Sequence, residues 1–580
     1  MGAAAPAEAP IAAYSRRLAL AQAAAGRARQ GEIRLAWAKI VAVFAFLGLA
    51  WASIIGLAFA ALWLLLPLAV LVYLFVAHGG AILERERSER KVRFYQRGLA
   101  RLRAEPTAAP AGERFRDPQH VYADDLDLFG PGSLFQLLST ARTPMGEERL
   151  AAWLRAPASV ATLRDRQRQV AELRPQLDLR ERAGLLGDEL KQRLDPRRLA
   201  TWAQAPPRFI GTVPRLLDAL VAAATVAAAI YSLAGGGLSW LIALIALQLI
   251  LVLPRDAAIS ASAGDRGANS EGLRTFASVL ALAGDQEGAG ALLRLAQLAD
   301  WSSASGSTLG RVLDVTVLYS LQVAFFVDAW RARYGASIGA WIESVGEFEA
   351  LLSLSSHAYE HPLDPFPELV DAPAPLFEAS ELGHPLIPEE NCVRNDVALN
   401  QQTRVWLVSG SNMSGKSTLL RTIGVNTVLA LAGAPVRARS LRLTPLALGT
   451  RLRTSDSLQQ GRSGYYAEIL RLRQVFELTR GFLPVLFMFD ELMEGTNSHD
   501  RVIGSKGLLR SLLARPSIGL VTTHDLALAA LAPELGPEVR NVHFEDQIEG
   551  NDIRFDHRLR DGVVTKSNAL ALMRIIGLEV

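Results

Sequence analysis

Two long apolar blocks interrupt an otherwise mixed chain. From Ile40 to Ala77 no Asp, Glu, Lys or Arg occurs. That is about twice the roughly 20 residues one membrane-crossing helix needs. The pattern predicts a hairpin, with one helix near Trp37–Ile55, a tight turn near Gly56 and a second helix near Leu57–Ala77. A second block, Leu216–Leu253, is broken by Gly235, Gly236 and Gly237. It predicts helices over Leu216–Leu233 and Leu238–Leu253, with Asp218 near enough to the start to reach an interface. Apolar runs of about 10–14 residues are commonly buried core helices. These runs are longer and come in doublets, so two transmembrane hairpins are expected.

Elsewhere the apolar positions recur at helical spacing. Asp125–Pro157 reads as helix with a Thr-Pro interruption, and the charged segment Leu163–Arg174 follows as an amphipathic helix. Ser270–Leu298 and Thr308–Tyr334 read as further helices, and Trp341–Pro362 as one long helix ended by Pro362. Beyond that the pattern changes to short apolar runs, Val405–Val408, Val485–Phe489 and Ile518–Thr522. Such runs suit central strands of a parallel sheet, buried on both faces.

The chain has 580 residues, enough for several domains. Half of it is hydrophobic and its mean hydropathy is +0.19, consistent with lipid-facing surface. A net charge of +3 makes no case for nucleic acid. The single cysteine, Cys392, excludes an intramolecular disulfide and a zinc site built on several thiolates. Local charge is more informative. Arg16, Arg17, Arg27, Arg29, Arg34 and Lys39 precede the first apolar block, and Arg85, Arg87, Arg90, Lys91 and Arg93 follow it. Arg208 and Arg215 precede the second block, and Arg255 and Arg266 follow it. Neither hairpin turn is charged. The positive-inside rule then puts the termini and all large segments in the cytoplasm, on a multi-pass protein of the inner (cytoplasmic) membrane. The basic flanks favour anionic membrane lipid. The polar leader and the length of the apolar run do not fit a cleaved signal peptide. Gly2 is followed by Pro6 where myristoylation wants Ser or Thr.

Candidate chemistry lies in the last third. Gly410-Ser411-Asn412-Met413-Ser414-Gly415-Lys416-Ser417 matches G-x-x-x-x-G-K-[ST], between an apolar strand and a helix from Thr418 onward. Gly410 and Gly415 let backbone N–H groups turn inward around phosphates, Lys416 reaches the outer phosphates, and Ser417 ligates Mg²⁺. The helix N-terminus adds a favourable dipole. The strand Val485–Phe489 ends in Asp490 and Glu491. Asp490 can hold Mg²⁺ directly or through water, and Glu491 can polarise the attacking water. Phosphoryl transfer needs that division, because its catalysis is mostly positioning and charge stabilisation. An acidic pair after a strand is often only an exposed turn; about 75 residues after a phosphate loop, it reads as functional. His524 follows the strand Ile518–Thr522, where a sensor of the γ-phosphate belongs.

Together these segments resemble the DNA mismatch-repair MutS family. "SGSNMSGKST" is similar to its phosphate loop, including the Asn-Met pair, and "DSLQQGRSGYYAEI" (Asp456–Ile469) looks like its signature segment. "FDELMEGTNSHD", "TTHD" and "DHRLRDGVVTKSNAL" resemble its Walker B, His switch and closing segment. Upstream, "LLSTARTPMGEERLAAWLRAP" and "EFEALLSLSSHAY" are similar to the start of its helical core and its returning lever helix. The resemblance covers roughly 120–200 and 340–580. It implies an α/β P-loop (ABC-type) ATPase domain on an α-helical MutS-core-like domain, joined here to two transmembrane hairpins. It further implies ATP and Mg²⁺ as ligands and a homodimer with two composite sites. Lys416, Ser417, Asp490, Glu491 and His524 would act from one subunit, and Ser463 of the signature from the other. Asn412 would hold phosphate or water, and His557 would contact adenine. Cys392 stands where the family often places an aromatic against adenine.

The expected domains are a basic leader (1–36), hairpin 1 (37–78), a helical linker with the first part of the core (79–213), hairpin 2 (214–254), the helical core and lever (255–370) and the ATPase domain (371–580). No mismatch-reading or connector domain is expected before residue 120, and an apolar hairpin stands about where the family has its DNA clamp. Three functions compete. The first is a membrane-anchored ATPase acting on DNA, in repair, recombination or damage sensing. The second is a membrane ATPase that remodels a protein or lipid partner without DNA. The third is an ABC-type transporter, which the scarcity of ionisable groups within the apolar blocks argues against.

Overall fold

The computed structural model of the protein describes residues 9–55, 64–103, 105, 109–209, 211–264, 266–305, 307–411, 414–452, 464–549 and 552–564. They form two units, Met1–Pro110 with Tyr359–Pro362, and Ala111–Ala358 with Leu363–Val580.

The first unit is built on two helices, α1 (Pro10–Ile54) and α2 (Leu65–Leu102). The polar leader expected before the first apolar block is, from Pro10 onward, the first half of α1. Its Ala, Leu, Arg and Gln residues are good helix formers, and no proline interrupts them. At 45 residues α1 is about 67 Å long, roughly twice the hydrocarbon core of a bilayer. The helices run antiparallel. Tyr14 meets Tyr95 edge to face at 5.9 Å, Arg85 pairs with Glu32 at 3.1 Å, and the Lys39 ammonium lies 4.8 Å from the Phe75 ring centre. Gly98 makes the Tyr14 contact possible, because a Cβ there would lie 2.6 Å from the Tyr14 ring. The Tyr14 hydroxyl and the Arg101 guanidinium both bond the Glu360 carboxylate, Arg101 Nε at 3.0 Å. The turn expected near Gly56 lies outside the described residues.

The second unit starts with a helical region. Its helices are α3 (Leu134–Leu138), α4 (Pro144–Arg155), α5 (Val160–Leu173), α6 (Leu177–Arg193), α7 (Pro196–Gln204), α8 (Thr212–Leu233), α9 (Ser239–Val252) and α10 (Asp256–Ala263). After these come α11 (Ser270–Leu282), α12 (Gln286–Ala304), α13 (Thr308–Val317), α14 (Tyr319–Tyr334) and α15 (Ile338–Glu360). The Thr-Pro interruption is the start of α4: Thr143 caps it by accepting from Gly146 N–H, and Pro144 takes the first helical position. The helical run over Ser270–Leu298 breaks at Gly284 (φ +101°), after which Asp285 caps α12. The run over Thr308–Tyr334 also breaks. Leu318 takes a left-handed conformation, Asp314 accepts from both the amide and the hydroxyl of Ser320, and the axis turns by 86°. The apolar core here joins α6, α11, α12, α14 and α15, with Trp202 stacked on Trp330. Polar groups of this hairpin find one another: Gln248 on α9 donates to Thr225 on α8 at 2.8 Å, and Arg255, just after α9, pairs with Asp218 on α8 at 3.2 Å. Across the described residues, α1, α2, α8 and the run Ser239–Ile259, which continues from α9 into α10, provide four helical segments long and apolar enough to cross a membrane.

The rest of the unit carries two sheets. Strands β1 (Glu368–Leu369), β2 (Phe377–Leu382), β3 (Asn395–Leu399) and β5 (Ser440–Leu443) form a small sheet in the order β1-β5-β2-β3. The larger sheet uses β4 (Val405–Ser409), β6 (Ala447–Arg451), β7 (Val485–Phe489), β8 (Ser517–Thr523), β9 (Val539–Glu549) and β10 (Asp552–Asp561). Its order is β10-β9-β4-β8-β7-β6, parallel except for the terminal β9–β10 pair. β4, β7 and β8 are buried along their whole length, as their unbroken apolar runs require. Helices α16 (Lys416–Ala432), α17 (Gly464–Leu478) and α18 (Ser498–Leu513) connect these strands.

The Tyr14–Gly98 contact makes a test. Gly98→Ala should destabilise the α1–α2 pair by about 1–3 kcal/mol through overpacking. Gly31→Ala, which meets nothing within 4 Å, should leave it unchanged or stabilise it. Hydrogen exchange over residues 10–25 and 90–102 reads both. Equal exchange in the two variants would remove Gly98 from this role.

Candidate functional site

The carboxyl ends of β4, β8 and β7 reach one edge of the sheet. Ser409 pairs with Thr523, and Phe489 with Val521. Ligands of open parallel sheets bind in the crevice outside such ends. Here the edge carries a pocket of about 380 Å³. The loop and helix after β4 contribute Ser411, Gly415, Lys416, Ser417 and Thr418; the end of β7 contributes Asp490 and Glu491; β10 contributes His557.

The loop after β4 depends on its glycines. Gly410 has φ +153° and Gly415 φ +110°, conformations that a side chain would strain. A Cβ on Gly415 would also come within 3.1 Å of the His557 ring. Lys416, the first residue of α16, donates from Nζ to the carbonyls of Gly410 at 2.7 Å and Ser411 at 2.8 Å. Its ammonium is thereby held over the loop. Ser414 is buried, and its carbonyl accepts from His557 Nδ1 at 3.0 Å, which assigns the proton to Nδ1. Asn412 and Met413 lie outside the described residues, as does Ser463.

Asp490 and Glu491 are set by their neighbours. The Thr522 hydroxyl on β8 donates to Asp490 Oδ1 and accepts from Glu491 N–H at 3.0 Å. Glu491 has φ +51° and bonds His524 Nδ1 through Oε1 at 3.3 Å. His524 thus joins the site through Glu491. Glu491, Glu494 and His524 each bring one ligand-type atom within 4.8 Å of the others. Partial burial and the neighbouring Glu491 carboxylate push the Glu494 carboxyl above its ordinary range.

Several residues that position the site were not singled out in the sequence. Asn395 on β3 donates from Nδ2 to the His557 carbonyl at 3.0 Å and accepts from Leu559 N–H at 2.8 Å. It holds the irregularity of β10 where His557 has φ +51°, and so aims that ring at the loop. Arg451 donates to the carbonyls of Asp490 and Glu491. Thr522 ends an apolar strand run and opens the "TTHD" segment, but neither shows that its hydroxyl serves the acidic turn. Glu494 had a local signal, an acid three residues after Glu491, but its role depends on the turn that folds it back. Cys392 faces the His384 carbonyl at 3.9 Å and lines a second, larger concavity of about 1470 Å³.

The donor set suits a phosphate ester with a hard divalent cation. A helix N-terminus and a loop of backbone N–H groups favour an anion. Lys416 adds positive charge, and the Ser417 hydroxyl and Asp490 carboxylate are oxygen ligands of the kind Mg²⁺ takes. The residues present therefore fit ATP and Mg²⁺.

Residues 406–579 match the family model for MutS domain V. The chain is 35% identical over 204 residues to the endonuclease MutS2 of Thermus thermophilus, covering 35% of this chain and 26% of that protein. It is 31% identical over 188 residues to the DNA mismatch repair protein MutS of Streptococcus uberis, covering 32% of this chain and 22% of that protein. The chain thus spans about a quarter of the length of these curated relatives. The matched region holds β4, the phosphate-type loop, the Asp490–Glu491 turn and His557, so the sequence likeness and the pocket fall on the same residues. On these grounds residues 406–579 form a domain of the MutS domain V family.

Proposed function

We propose that the chain is a membrane-anchored ATPase of MutS type, working as a homodimer whose nucleotide state switches its conformation. The observation that carries this reading is the single pocket joining Lys416 and Ser417 to Asp490 and Glu491. Lys416 would exchange its loop carbonyls for the outer phosphates, and Ser417 and Asp490 would hold Mg²⁺, whose charge would offset that on the phosphates. Glu491 polarises the attacking water, with His524 beside it as the γ-phosphate sensor. Ser463 of the second copy, with Asn412 in the loop, completes each composite site. The four long apolar helices, flanked by basic residues, support anchoring in the inner membrane with the ATPase domain in the cytoplasm.

The relatives' names point to mismatch repair and DNA cleavage, so DNA is the first partner proposed, bound through phosphate contacts and sensitive to salt. One observation favours the second reading, a membrane partner without DNA. The larger concavity has interleaved charges rather than a basic track. Arg442 pairs with Glu368 at 3.1 Å and Glu378 at 3.2 Å, and Arg394 pairs with Glu389 at 2.6 Å.

Three measurements test this. Glu491→Gln should lower ATP turnover by about 100-fold or more while ATP still binds, the scale of a lost general base. Undiminished turnover would remove Glu491 from that role. Turnover of the nanodisc-held protein with duplex, mismatched and branched DNA over a salt series separates the partners. Stimulation that fades with salt supports DNA, and indifference to every DNA supports the membrane partner. Topology can be read by labelling, because Cys392→Ser leaves no cysteine. In that background Leu238→Cys should react with an impermeant maleimide from outside the cell, and Ser498→Cys only after lysis. Labelling of both from outside would refute the assigned orientation.

A further inference from the structure

The turn that carries Asp490 and Glu491 is held from one side by a buried ion pair. Arg451 closes β6, and its side chain is 7% exposed. Its Nη1 donates to the Asp490 carbonyl and, at 3.1 Å, to the Glu491 carbonyl. Its Nη2 pairs at 3.3 Å with Glu468, which lies on α17 and is 3% exposed. The other oxygen of Glu468 accepts from Met493 N–H at 2.8 Å. Two side chains therefore grip the backbone at residues 490, 491 and 493. Glu491 and Met493 both have positive φ, at 51° and 57°. A non-glycine residue there costs on the order of 1 kcal/mol or more and persists only where surroundings impose it. Gly495, further along, lies so close to the first turn of α17 that a Cβ would come within 3.1 Å of Tyr465 Cβ.

The geometry points to Arg451 and Glu468 as positioning residues that make the placement of Glu491 depend on the position of α17. This deepens the ATPase reading and rests on it. Helix α17 begins inside the signature segment Asp456–Ile469, which in the proposed dimer faces the nucleotide of the second copy. A shift of α17 on engaging that nucleotide moves Glu468, and through Arg451 and the Met493 amide it moves the turn that carries Glu491. Each copy's hydrolysis thereby responds to occupancy of the other's site. The contacts supply a direct route, since Glu468 sits on the helix and bonds the turn itself.

A pair that served only stability would behave differently. Replacing a buried ion pair by apolar residues of similar volume is often neutral or stabilising, whereas removing one partner is not. The test uses the full chain in nanodiscs and measures ATP turnover, its Hill coefficient, binding of a fluorescent ATP analogue and thermal unfolding. Glu468→Gln keeps the shape. It should lower kcat about 10- to 100-fold, the scale of a small displacement of a catalytic group. Nucleotide binding should stay within about twofold, as expected when only a transition-state interaction is lost. The Hill coefficient should fall to that of independent sites. The double variant Arg451→Met, Glu468→Met should melt near the wild type and remain as slow as the single variant.

Wild-type kcat and cooperativity in Glu468→Gln would overturn the inference, as would recovery of turnover in the double variant. Both leave the ATPase reading standing. A wild-type chain that neither binds nor hydrolyses ATP would overturn that reading and the inference with it.

Discussion

The register of three buried parallel strands governs the pocket. β4, β7 and β8 end together because Ser409 pairs with Thr523 and Phe489 with Val521. The side-chain period of a strand is two, so a slip of one residue would turn every inward group outward. In the observed register the Thr522 hydroxyl reaches both the Asp490 carboxylate and the Glu491 amide. The acids are thus oriented by the neighbouring strand. The phosphate-type loop, Lys416 and the start of α16 face them because β4 stands on the other side of β8.

Helical packing carries the same constraint outward. Asp125, at the start of the helical region, accepts from the Thr450 hydroxyl at 2.7 Å and from Leu452 N–H at 3.1 Å. Those groups lie at the end of β6 beside Arg451. Glu349 on α15 accepts from the amides of Arg142 and Thr143 and from the Thr143 hydroxyl, so the long helix is tied to the start of α4. Burial nevertheless pushes the Glu349 carboxyl up to about 7. The carboxyl needs these hydrogen bonds, because a buried acceptor left unmade is more destabilising than a made bond is stabilising. These ties join the end of β6 and the start of α4 to the helical region.

Much of the pocket was legible in the chain. Gly410, Gly415, Lys416, Ser417, Asp490, Glu491 and His557 could be named from short segments, because phosphate binding at a strand-to-helix turn needs local chemistry in a fixed order. The structure brings all of them except Gly410 to the lining of one pocket, with Gly410 reached through Lys416 and His524 through Glu491. Asn395 and Arg451 have no local mark of a site role, whereas Glu468 and Thr522 lie inside the signature-like and His-switch-like segments, which do not say what they bond. Each acts on a partner more than fifteen positions away. The breaks at Gly284 and Leu318 leave no trace in the pattern either, since both fall inside apolar helical runs.

The sequence by itself determined the apolar segments, the strand-forming runs and the residues of the phosphate-type loop. Each of these follows from residue type and short-range spacing, through helical or strand periodicity and the backbone freedom of glycine. Only the tertiary structure decided that the basic leader continues the first apolar helix. It also decided that Tyr14 needs Gly98, that His557 is aimed by Asn395, and that Arg451 and Glu468 hold the acidic turn. Those outcomes depend on which distant elements pack together, and long-range packing leaves no periodic trace in the chain.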